Sequence, residues 1–106
     1  MWIKILNKNY EDVHGNKYDL GKVYKIDCDD EDRFQSFVDS ENIASALRVY
    51  YTEHWLRKYL VKDLKYIWIE PKNPKLNTLK KDEFTYVSNG IKLIKEIWIK
   101  WIGWYR

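Results

Sequence analysis

Glu83 to Arg106 reads E-F-T-Y-V-S-N-G-I-K-L-I-K-E-I-W-I-K-W-I-G-W-Y-R and carries three of the chain's six tryptophans. So apolar a segment does not stay solvated as a free tail, because burying one large aromatic recovers about 1.5–3 kcal/mol. It forms the centre of a small core, or its last part is an adhesive surface for another molecule. Phe84, Tyr86 and Ser88 alternate with Thr85 and Val87, and Asn89-Gly90 is a hairpin signal. Beyond it, Lys92, Lys95, Glu96, Lys100 and Gly103 fall three or four apart, as on a helix, whereas the isoleucines of Ile91–Ile99 favour a strand. The spacing is read as a strand through about Ile97 and then an irregular or helical end. In that end Trp98, Trp101, Ile102 and Tyr105 share one side.

Working back toward the N-terminus, Glu70–Asp82 holds both prolines and four lysines, Lys72, Lys75, Lys80 and Lys81, and reads as the longest and most basic loop. Tyr66-Ile67-Trp68-Ile69 is rich in strand formers, and Tyr59-Leu60-Val61 is a shorter run of the same kind, with Lys62-Asp63 a turn or bulge. Asp39 or Ser40 offers a capping oxygen and Glu41 suits a first helical turn. Ile43, Ala46, Leu47, Tyr50 and Tyr51 follow at helical spacing, which predicts a helix over about 40–53. His54 continues its face and reads as a packing or helix-dipole residue. Phe34 and Phe37 enter the core just before. Tyr18, Leu20, Val23, Tyr24 and Ile26 recur near every second residue, as two short strands interrupted at Gly21-Lys22. Asn7–Gly15 is a polar turn, and Trp2, Ile3, Ile5 and Leu6 open the chain as a strand. The fold class expected is α+β: a small, mainly antiparallel sheet, one principal helix and an aromatic C-terminal segment, in a single domain spanning residues 1–106.

Composition narrows the chemistry. With 45% hydrophobic and 33% charged residues the chain has enough apolar surface to offset its entropy. Net charge is +3, divided unevenly: residues 1–54 carry −4 and residues 55–106 carry +7. The basic half suits an anionic partner, or simply keeps a Trp-rich domain in solution. Cys28 is alone, so no intrachain disulfide forms and a reducing cytoplasm is the expected compartment. No signal peptide and no transmembrane segment are read from the sequence.

Enzyme signatures are missing. There is no G-x-S-x-G elbow, no Walker loop, no G-x-G-x-x-G and no H-E-x-x-H. Two histidines and one cysteine have no zinc spacing. The acidic run Asp27–Asp32 misses the EF-hand pattern, since the sixth and twelfth places from Asp27 hold Asp32 and Val38 instead of Gly and Glu. No catalytic residue, metal or cofactor is expected.

One resemblance bears on origin. Tyr18-x-Leu20-Gly21-Lys22-x-Tyr24, then Phe34 before a capped helix, then Tyr59-x-Val61, then Val87-Ser88-Asn89-x-Ile91-x-x-Ile94-Lys95-Glu96, resembles an uncharacterised small domain family of phage, prophage and large-virus proteins. Its pattern is Y-x-x-G-K-x-Y, G-F-H near a helix, a V-x-V strand and T-x-K-I-x-I-x-x-E. The similarity spans about residues 17–97. The chain departs from it at Arg33-Phe34-Gln35, where the family histidine is replaced. The resemblance implies a mobile-element or viral origin and a compact α+β fold, and implies no activity.

The function expected is therefore that of a small non-enzymatic accessory protein, acting by stoichiometric binding to a host protein in the host cytoplasm, with inhibition of host defence as its specific form. Trp98, Lys100, Trp101, Trp104, Tyr105 and Arg106 are the expected contact residues, since Trp, Tyr and Arg dominate binding hot spots. The alternative is nucleic-acid binding, with Lys72, Lys75, Lys80 and Lys81 on phosphates and Tyr66, Trp68 or Tyr86 stacking bases. A third reading places the C-terminal aromatics at a membrane interface. A homodimer through the same stretch is compatible with each.

Overall fold

The computed structural model describes residues 1–53, 63–80 and 82–98. Among these residues seven strands form one antiparallel sheet: β1 Trp2–Leu6, β2 Val23–Lys25, β3 Gln35–Asp39, β4 Lys65–Pro71, β5 Lys75–Leu76, β6 Thr85–Ser88 and β7 Gly90–Ile97, in the order β2-β7-β4-β1-β3-β6-β5. Among the described residues one α-helix, α1, spans Ile43–Glu53.

The Asn89-Gly90 step is not a hairpin. β6 pairs with β3 and β5, whereas β7 pairs with β4 and β2. Three strands lie between β6 and β7 in the sheet, yet Asn89 alone separates them in the chain. The sheet must therefore curl until these ends meet, as a strand that turns a corner does in orthogonal packings. Ser88 fixes the corner: its hydroxyl bonds the Lys72 carbonyl and, at 2.7 Å, the Gly90 carbonyl. The Lys72 amide donates to the same Gly90 carbonyl at 2.7 Å. A bulge between Trp68 and Ile69, where Lys95 and then Leu93 are the partners, adds bend to β7.

Both sides of the curled sheet are covered. Ile3 and Ile5 share a side with their cross-strand partners Val38 and Tyr66, and Ile43, Ala46 and Leu47 of α1 close over them. On the other side Leu6, Phe37, Ile67, Ile69, Ile91 and Leu93 converge with Tyr18. Trp2 meets Phe37 and Tyr86 edge-on, with ring centroids 5.3 and 4.8 Å away. Each fully buried aliphatic contributes about 1.5–3 kcal/mol, so these two clusters hold the sheet in its curled form.

The α+β expectation is corrected here. The described residues are mostly antiparallel sheet, with one short helix instead of a principal helix from residue 40. Ser40–Asn42 is a 3-10 turn, because the Asp39 carboxylate takes the Glu41 amide at 3.1 Å and tightens the chain before α1 begins. Tyr18–Leu20 is not a strand. β5 lies in the stretch read as loop, β3 forms where only the entry of Phe34 and Phe37 into the core is read, and β4 runs on to Pro71. The side chains of Tyr50 and Tyr51, His54, and the strand expected at Tyr59–Val61 lie outside the described residues. Among the described residues no helix is long and apolar enough to cross a membrane.

Candidate functional site

The residues singled out from sequence are dispersed. Trp98 follows the end of β7 and is 75% exposed. Lys100, Trp101, Trp104, Tyr105, Arg106 and Lys81 lie outside the described residues. Tyr66 is only 6% exposed, packed beneath α1, so its ring offers no open face for a base. Trp68 is half-buried, with the Lys95 ammonium 5.9 Å from its ring centroid. Lys75 is held 2.5 Å from Glu31 and lies over the Phe34 ring; that pairing holds the half-buried Glu31 carboxyl below its usual range. Lys72 is exposed at the β6–β7 corner, and Lys80 sits on the rim of a cleft.

That cleft has a volume of about 760 Å³ and follows from a break in the sheet. β1 and β3 pair only through Trp2–Asp39 and Ile3–Val38. Past those pairs β1 stays with β4 as far as Leu6, and β3 stays with β6 from Val38 back to Gln35. Lys4–Leu6 and Gln35–Phe37 thus part company, and the opening between them is the floor of the cleft.

Lys4 stands at that parting. The middle of W-I-K-I-L is an interior strand position, and the residue there is 5% exposed. Its ammonium donates to the Ser36 carbonyl at 2.9 Å, on the edge of β3 that β1 has left, and lies 5.3 Å from the Tyr18 ring centroid. Burial lowers its pKa to about 8, partly opposed by the negative Asp12. No carboxylate of the described residues lies within ion-pairing distance of it.

Asp12 is occupied by its own loop. One carboxylate oxygen accepts the His14 and Asn16 amides at 2.9 and 3.0 Å; the other takes the Asn16 side chain at 3.2 Å and the Tyr18 hydroxyl at 3.0 Å. Partial burial raises the pKa of this carboxyl, but the bonds from Asn16, Tyr18 and His14 outweigh it and the net direction is down. Burial, with Asp12 adding to it, pushes the Tyr18 hydroxyl upward, and Gln35 lies 2.6 Å from the same oxygen. The loop is pinned at its near end by Tyr10, whose hydroxyl bonds Glu96 and is pushed up to about 12 by that bond and by desolvation.

Sequence reading missed Lys4. Its signal was a cation at the centre of an otherwise apolar strand, where a charge requires an explanation. Among the described residues no three His, Cys, Asp or Glu side chains come together as a metal site. Compared with family models, curated proteins and solved structures, the chain matches none.

Proposed function

We propose that this protein acts by contact and not by turnover, as a viral- or phage-type accessory protein that occupies the surface of a host protein. The observation that carries the reading is Trp98. An indole three-quarters exposed at the margin of the sheet opens a segment with two further tryptophans, a tyrosine and an arginine, the side chains that anchor binding hot spots. Inhibition of a host defence component is the specific form proposed, and it rests on analogy alone. The nucleic-acid alternative has less support, since Tyr66 is in the core and Lys75 is paired with Glu31. It predicts a steep loss of affinity with added salt.

Alanine at Trp98, Trp101 and Trp104 tests the reading. A contact role leaves the unfolding midpoint nearly unchanged and abolishes capture of the partner. A core role lowers the midpoint by many degrees and sinks the proposal.

A further inference from the structure

We propose that the cleft between β1 and β3 is a binding site for an amphipathic monocarboxylate, with the Lys4 ammonium as the anion's partner and the apolar cleft walls holding its hydrocarbon part. This goes beyond the contact role assigned to Trp98 and stands on different residues.

The argument starts from an incomplete charge. An ammonium has three hydrogens to donate, and Lys4 gives one to Ser36. The Tyr18 ring lies 5.3 Å away, and within the described residues no further oxygen or nitrogen takes the remaining two. A buried cation left in this condition is costly, and an anion entering the cleft completes it. Asp12 is not that anion, because its oxygens already serve His14, Asn16 and Tyr18.

The rest of the cleft selects the anion. Its volume of about 760 Å³ falls within the roughly 300–1,000 Å³ of ordinary small-molecule sites. Phe34 lines it, and Val13 and Leu79, 48% and 59% exposed, flank its mouth. Those last two side chains have apolar surface to gain from a hydrocarbon tail. A monoanion places one negative charge beside the Lys4 ammonium, whereas a phosphate dianion would place two close to Asp12, which is already negative in the same cleft. The other charged groups lining the cleft, Glu31, Asp32, Arg33 and Lys80, come from the loops before β3 and β6.

Octanoate, octanol and inorganic phosphate are the probes, titrated into the isotope-labelled full chain while the amides of Gln35, Ser36 and Phe37 are followed by NMR. Octanoate should shift these amides saturably, and octanol of the same chain length should bind at least about tenfold more weakly. Lys4→Met should remain folded, with an unfolding midpoint at or above that of the natural chain, and lose at least about tenfold in octanoate affinity. Should that variant fail to fold, the natural chain still decides the matter. Octanoate affinity should fall about tenfold from pH 7 to pH 9 as the ammonium is lost, given a free pKa of about 8. Equal binding of octanoate and octanol, undiminished affinity in Lys4→Met or at pH 9, tighter binding of phosphate, or no shift with octanoate would each overturn the proposal.

Discussion

Replacing Lys4 by methionine should make the protein more stable. The side chain keeps its length and apolar stem and loses its charge. A lysine whose pKa falls from 10.5 to about 8 on folding carries a charging cost of about 3 kcal/mol, at about 1.4 kcal/mol per pH unit. That cost is already net of the charged hydrogen bond to the Ser36 carbonyl, because a folded pKa reflects every interaction of the charged form. Methionine removes the charge and the bond together, so a gain of up to about 3 kcal/mol at pH 7 is expected. The pH dependence is the sharper test. Because the folded pKa lies below the unfolded one, the unfolded chain holds more protons between pH 8 and 10.5, and stability rises with pH there. The cost is fully present below pH 8 and disappears as pH approaches 10.5. Tyr10 and Tyr18 act in the opposite sense: their hydroxyls titrate higher in the fold, so their contribution is intact below about pH 10 and lost above it. Urea unfolding from pH 7 to 9.5 at constant ionic strength therefore isolates the lysine. The natural chain should gain stability with a slope approaching about 1.4 kcal/mol per pH unit above pH 8, and Lys4→Met should lack that slope. Equal slopes in the two proteins, or a variant less stable by more than about 1 kcal/mol, would refute the reasoning.

Other outcomes follow from the same geometry. Ile67→Ala, at the fully buried centre of β4, should cost about 2–5 kcal/mol in urea unfolding. Asp12→Ala removes the acceptor of four hydrogen bonds from the loop over the cleft and should cost about 1–3 kcal/mol, while Asp12→Asn, which keeps an acceptor for the His14 and Asn16 amides, should cost less. Since the folded pKa of Asp12 is depressed, its contribution is present above the unfolded carboxyl range and lost as pH falls through the folded value; the Asn variant should show a shallower acid limb.

Strands rich in β-formers were legible from sequence: the opening at Trp2–Leu6, the run Tyr66–Ile69 and the run to Ile97 are seen within β1, β4 and β7. β3 was not, because Q-S-F-V-D holds only two buried apolar residues and gains its strand identity from pairing with β6. The Asn89-Gly90 signal misled for a related reason. Local turn chemistry favours a hairpin, but β6 and β7 each find a better partner elsewhere, and the Ser88 hydroxyl holds the chain in a corner instead. The expected contact residues were chosen for their side-chain types, and of these only Trp98 lies among the described residues, where it is exposed. The cleft was illegible, since it arises where β1 and β3 stop pairing, a tertiary event with no sequence motif. Lys4 left the single trace, a charge at a position that the surrounding pattern reserves for an apolar residue.

The claim that the molecule works by contact is tested most directly by affinity capture from host cells with two full-length chains, the natural one and one carrying alanine at Trp98, Trp101 and Trp104. The natural chain should retain a partner at fixed stoichiometry, and the variant, with an unfolding midpoint within about 2 °C of it, should retain none. Capture unchanged by the substitutions, or a product formed many times over per molecule of protein, would contradict the account.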